Sequence, residues 1–453
     1  MTRSQKVLTK NFTDIAIQIP QVLLPRPGID LTRWAVVACD QYTSQPAYWK
    51  QVESFVGQTP STLHLIFPEV YLEEPDAAER IERIQEQMRA YLAQGILVPD
   101  EGFVYVERTL RRGVRRGLLA CLDLEQYDYR SDSQSLIRAT EGTILDRLPP
   151  RMRIRQGAPL ELPHVMVLID DPDDMVIGTV AQAKPSFRRL YDFDLMMDGG
   201  RLAGWLVADS LIQQAVVQAL RALKAPQAFR QKYGLDPGVQ PLLYAVGDGN
   251  HSLASAKAVW DGLKPTAAPD HPARYALVEI VNLHDSALEF EPIHRVLFNL
   301  RLPVIDSLQE YFGNRFSLTL YNSQSAYDEM VAAVNAAIRS PQLTHAFGMI
   351  TAEGCGLMQV RQPASNLPAA TLQRFLDHFM QRGGAEKIDY VHGDDVLKPL
   401  CGQENHAGFY LPAMSKHDLF KAVILSGALP RKTFSMGEPY EKRYYMECRR
   451  IGL

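Results

Sequence analysis

The stretch YAVGDGNHSLASAKAVW, residues 244–260, places two glycines, an aspartate, an asparagine and a histidine between an apolar run and a helical repeat. Leu253, Ala256, Trp260 and Leu263 recur at helical spacing, so a helix is expected to begin around Asn250–Ser252. Gly247 and Gly249 allow a sharp turn and a close approach of backbone to a ligand. The first N–H groups of a helix have no intrahelical partner, and the dipole is positive there. A strand, a glycine turn and a helix N-terminus therefore make an anion site, most often for phosphate. Gly247, Gly249, Asn250, His251 and Ser252 are the candidate cradle, with Asp248 and His251 as candidate base or metal ligand. The same residues also suit a plain turn in which Asn250 caps the helix and Asp248 bonds locally. The pattern is neither GxxxxGK[ST] nor GxGxxG.

Other chemistry-bearing groups are scattered. Arg138, Thr140 and Glu141 combine a cation for a phosphate, a hydroxyl and a candidate general base; the alternative is a surface strand with a salt bridge. His294 and Arg295, in PIHR, offer an anion ligand beside a histidine that can equally be structural. Lys432, Thr433 and Ser435 precede Pro439, a second cationic approach to an expected helix start. DDPDD (170–174) suits Mg²⁺ or a simple turn, and His392-Gly-Asp-Asp395 has the same two readings. Asp40 and Gln41 end an apolar run where a strand end can line a cleft.

The elements that must position these groups mix strands and helices. WAVVAC (34–39), FVYVERTL (103–110), GLLACLDL (117–124), HVMVLI (164–169) and LLYAV (242–246) read as strands, with RRGVRR (111–116) as a basic connection. QPAYWKQVESFV (45–56), residues 75–95 and residues 208–223 have helical spacing. A helix–strand–helix–strand–strand unit is expected over about 301–362, followed by a helix ending in Gly383-Gly384. The expected division is a main α/β domain over 1–300 and a C-terminal α/β segment over 301–453. The last sixty or so residues of that segment can fold back on the main domain.

Hydrophobic residues make up 46% and charged residues 22% of the 453, a globular composition. The formal charge of −4 argues against nucleic acid or an acidic membrane as partner, and the Arg runs read as solvated faces. Five scattered cysteines without CxxC suggest neither a disulfide framework nor a zinc site. The opening MTRSQKVLTKNFTDIAIQIP lacks an apolar signal core and no stretch is long enough to span a bilayer, so a cytoplasmic location is expected.

The blocks RWAVVACDQYTSQPAYW, PSTLHLIFPEVYL, IRATEGTILDRLPPR, LELPHVMVLIDDP, GDGNHSLASAK, FEPIHRVLF and PRKTFSMGEPYEKRYYMECRRI resemble the signatures of the domain of unknown function 1015 family, from about Leu23 to Ile451. Other branches of that family read roughly D-G-H-H-R in the 248–252 turn. That turn in turn resembles the G-x-H-R or G-x-R-R turn of the ParB/sulfiredoxin superfamily, which includes free serine kinases. The resemblance implies an α/β (mixed α+β) fold with a ParB/sulfiredoxin-like nucleotide-binding core. It also implies a phosphate cradle at Gly249, Asn250 and His251. The arginine of that motif falls at Ser252, which cannot supply its charge, so Arg138 or Arg295 is the expected substitute.

Three readings follow. The first is a nucleotide-dependent phosphotransferase acting on a small polar metabolite, using ATP or ADP with Mg²⁺, with Asp248 or Glu141 as base. The second is a non-catalytic nucleotide or metabolite sensor. The third is a metal-dependent hydrolase using His164, Asp248, His251 and His392, for which no HExxH is present. Oligomeric state is not legible.

Overall fold

The computed structural model describes residues 10–338, 343–365 and 367–452. The first nine residues of the opening segment and Arg339, at the end of an expected helix, lie outside them. The chain forms two compact units. One comprises residues up to Glu289 with Val423–Ala428 and the residues from Gly437 onward; the other comprises Phe290–Ala422 and Leu429–Met436.

The first unit is built on a mixed sheet. From one edge its strands run Arg188–Asp194, Arg201–Val207, Phe103–Leu110, Gly113–Asp123, Tyr275–Asn282, Met166–Ile169, Tyr244–Asp248, Ile137–Ala139 and Tyr127–Asp128. Alternate residues of the central strands enter different cores: Val104, Val106, Leu119 and Cys121 on one face, Phe103, Tyr105, Leu118 and Ala120 on the other. A sheet buried on both faces reads as a near-continuous apolar run, which is why these strands were legible. Register puts Leu119, Glu279, Met166 and Asp248 in one row across four strands, and Arg108 opposite Arg115.

WAVVAC folds differently from expectation. Leu31–Trp34 is a short helix capped by Asp30, and only Val36–Val37 is strand. The partner of that strand is Tyr444–Tyr445, from a C-terminal strap over residues 437–452. Further on, Cys448 pairs with Leu23, and Arg449–Arg450 pair with Leu160–Glu161. RRGVRR is not a solvated connection either. The strand resumes at Gly113, and Arg115, paired with Arg108, is buried.

The second unit contains an antiparallel sheet in the order Phe316–Tyr321, Gly354–Arg361, Thr344–Thr351, Ala407–Tyr410, Phe290–Leu300, Ala385–His392. Helices Val304–Phe312, Ala326–Ile338 and Pro368–Gln381 follow the order read from the sequence. Phe347, Phe375 and Phe379 anchor one of its cores, and Val296, Met330 and Leu397 another. Among the described residues no helix is long and apolar enough to cross a membrane, and all five cysteines are unpaired.

Candidate functional site

The strand Tyr244–Asp248 runs into the helix Asn250–Leu263 with Gly249 alone between them. Met166 lies opposite Asp248 and Val167 opposite Val246, so Gly247 is the extra residue of a bulge that re-aims the strand end. Gly249 adopts φ +78°, and a Cβ there would stand 3.0 Å from Val165 Cα and 3.3 Å from His164 Cδ2. The close approach that requires glycine is therefore to the protein's own 164–165 segment rather than to a ligand.

Because the N-cap is glycine, no side chain caps the helix. Asn250, expected as the cap, is instead the first helical residue, and its Oδ1 is buried with no hydrogen-bond partner among the described residues. His251 Nε2 accepts the Ile144 N–H at 3.2 Å, which in the neutral ring places the proton on Nδ1. This bond ties the segment after Glu141 to the helix start. Ser252 lies in the first turn, partly exposed.

Asp248 Oδ1 accepts the Gly249 N–H at 3.1 Å, and its Oδ2 lies 3.2 Å from Lys442 Nζ. Their side chains keep 20% and 8% of their exposure, so the pair is sheltered without being sealed. The next strap residue, Arg443, bonds Glu279 and Glu447. Burial works against its charge, but those two carboxylates outweigh it and raise its pKa. Lys442 and Arg443 thus address two carboxylates that share one row of the sheet, Asp248 and Glu279.

Tyr445 completes the strap's contribution. Its oxygen accepts the Cys39 N–H at 3.2 Å and lies 2.6 Å from His164 Nδ1 and 3.1 Å from Cys39 Sγ. His164 Nε2 then faces Asp40 Oδ2 at 3.9 Å. Glu69 is bonded to Arg151 close by; burial, then the charge of Asp40, raise its pKa against that arginine. Burial also pushes the Cys39 thiol well up, which argues against a thiolate nucleophile.

The remaining expected residues are placed elsewhere or otherwise engaged. Arg138 is buried, with Nε on the Ser135 carbonyl at 2.8 Å and Nη2 on the Gln240 carbonyl at 2.9 Å; burial lowers its pKa to about 10. Thr140 Oγ1 donates to the Val246 carbonyl at 2.6 Å, pinning the two strands, and Glu141 is partly exposed just beyond.

His294, Arg295 and Lys432 belong to the second unit. His294 Nδ1 accepts the Leu411 N–H at 3.1 Å. Its Nε2 lies 3.4 Å from Asp394 Oδ1 but outside hydrogen-bond geometry. Arg295 is fully buried, bonding the Ile293 carbonyl and, at 3.0 Å, the Lys432 carbonyl.

DDPDD is a turn in which three of the four carboxylates are occupied, and Asp173 is exposed. Asp170 meets Lys232, Tyr233 and His284; Asp171 accepts the Val176 N–H; Asp174 pairs with Arg116. Among the described residues no group of three or more His, Cys, Asp or Glu side chains is placed to hold a metal ion. His392 belongs to the second unit, and His164, Asp248 and His251 belong to the first.

Sequence reasoning expected the last sixty or so residues to fold back but did not single out the strap residues of the site. EKRYY (441–445) carries three residues of the site, and its only signal was membership in a quoted signature block.

A family model described as "Protein of unknown function (DUF1015)" matches residues 23–379. The chain belongs to this family. No curated protein matches it. Among solved structures it is similar to free serine kinase in complex with AMP, at 11% identity and TM-score 0.38, covering 74% of this chain and 92% of that one. A conserved hypothetical protein from Pyrococcus furiosus matches at 11% identity and TM-score 0.36, covering 72% and 93% of the two chains. SbnI from Staphylococcus aureus, with a C-terminal truncation, matches at 11% identity and TM-score 0.35, covering 74% and 87%. Likeness at this level leaves the site of this DUF1015 member to be read from its own residues.

Proposed function

We propose that this protein is a nucleotide-dependent phosphotransferase acting on a hydroxyl of a small polar metabolite, with ATP or ADP as the nucleotide. The observation that carries the reading is a buried lysine, Lys442, held 3.2 Å from Asp248 beside a fourteen-residue helix that no side chain caps. Unbonded N–H groups, the positive end of the dipole and an adjacent ammonium together match a phosphate group. Lys442 supplies the charge that Ser252 lacks. Asp248, its Oδ2 3.2 Å from the ammonium, is the group that orients Lys442.

Asp40, with His164 at 3.9 Å behind it, is the carboxylate proposed to take the acceptor proton. Mg²⁺ carried on nucleotide phosphates needs only one or two protein carboxylates, and Asp40 and Asp248 are donors of the right hard-oxygen type. When bound it would neutralise charge on the phosphates.

Calorimetric titration with ATP, ADP and AMP, with and without Mg²⁺, tests the reading. Lys442→Met should weaken nucleotide binding roughly 10- to 100-fold, the worth of a charge-assisted contact. Asp40→Asn should leave binding of the Mg²⁺-free nucleotide intact and lower turnover by about 10²–10⁴. No binding by any nucleotide overturns the proposal. Binding without turnover against hydroxyl-bearing metabolites would replace it with a nucleotide sensor.

A further inference from the structure

Arg108 and Arg115 face each other on adjacent antiparallel strands, and their side chains share the sheet face covered by the strap. They are 2% and 3% exposed. Arg108 Nη2 donates to the Tyr440 carbonyl at 2.8 Å and Arg115 Nη1 to the Glu441 carbonyl at 3.0 Å. Arg108 Nε, Arg108 Nη1 and Arg115 Nε are buried and have no acceptor among the described residues.

Among the described residues no carboxylate is hydrogen-bonded to either arginine, and the one carboxylate that acts on the Arg108 charge, Glu279, does so without a bond. Glu279 and Glu447 are bonded to Arg443. The Glu441 carboxylate turns back to the Glu438 N–H at 2.9 Å. Glu107, next in the strand, points to the opposite face and pairs with Lys184. Among the described residues the Tyr444 ring stacks on Arg108, 4.6 Å away. Two like charges side by side and out of water, with only the carboxylate that Arg443 already engages to offset them, are unfavourable unless something negative lies between them.

We propose that Arg108 and Arg115 form a second anion site in this unit, taking one small oxyanion group, a carboxylate or a phosphate, between their guanidinium forks. The fork geometry suits planar or tetrahedral oxyanions, and three guanidinium nitrogens await acceptors. This site does not depend on the reading of the helix terminus.

Equilibrium urea unfolding of the full chain, refolded with millimolar phosphate or acetate at constant ionic strength, tests it. A ligand that binds only the folded state should move the wild-type midpoint up by about 1 M at a hundredfold excess over its Kd. Lys442→Met should keep this shift. Arg115→Met should lose it, with a midpoint in anion-free buffer equal to or above wild type because the like-charge neighbour is gone. A response to acetate alone assigns a carboxylate ligand; a response to phosphate alone assigns a phosphate group. An undiminished shift in Arg115→Met, or none in wild type, overturns the site. If Arg115→Met does not fold, the arginine Nε–H resonances of wild type decide. Two should move on adding the anion, one of them missing in Arg108→Lys, and unmoved resonances overturn the proposal.

Discussion

The 247–251 turn of the first unit and the PIHR segment of the second have similar inventories, each with a histidine, a nearby cation and an acid. Their environments differ. Asp248 and Lys442 keep part of their exposure beside an uncapped helix, whereas His294 and Arg295 keep none and spend their bonds on Leu411, Ile293 and Lys432 backbone groups. Residue type therefore marks where chemistry is affordable, while burial and partners decide whether it is used for a ligand or for the fold. A buried guanidinium satisfied by carbonyls holds strands together, whereas the sheltered Lys442 ammonium pairs with a carboxylate at a helix terminus.

The comparison can be broken most forcibly at Arg443. Arg443→Met strands Glu279 and Glu447 in the core of the first unit, an expected loss of about 3–5 kcal/mol. All four tryptophans, Trp34, Trp49, Trp205 and Trp260, lie in that unit, so urea unfolding followed by tryptophan fluorescence reads it directly.

The second unit should respond to acid instead. Burial, and for His294 also Arg295, lowers the pKa values of His294 and His345 to about 4 from 6.5. The unfolded chain then binds protons that the folded one refuses. Stability from these two groups is complete above pH 6.5 and falls as the pH drops to about 4, by about 3 kcal/mol for each histidine. Circular dichroism should lose signal on acidification before tryptophan fluorescence changes. His294→Gln, which keeps an acceptor for the Leu411 N–H, should remove about half of the drop. A drop of unchanged size in that variant would mean His294 is not responsible.

The smallest change sharpens the turn itself. Ser252→Arg adds a second cation to the first helical turn and should tighten nucleotide binding about tenfold, measured by calorimetry. An unchanged affinity in a folded variant would place the phosphate elsewhere.

Much of the scaffold was legible because local pattern carries it. The strand Phe103–Leu110 and the helices Ala77–Ala93, Ser210–Leu223 and Asn250–Leu263 follow from apolar runs and helical spacing. Val36–Val37 was overextended because Trp34 is apolar for a different reason, packing as the end of a capped helical turn. The Arg-rich run 111–116 misled for the converse reason, since charge predicts exposure only on average and Arg115 lies under the strap.

By itself the sequence determined the mixed α/β elements, the glycine turn and its helix, and the blocks that mark the DUF1015 family. Only the tertiary structure decided which charges meet at that turn. Lys442 reaches Asp248, and Tyr445 reaches His164 and Cys39, across hundreds of residues. Strand pairing of the strap with Val36–Val37 sets that register. Such pairings arise from long-range closure and burial, which leave no period in the chain to read.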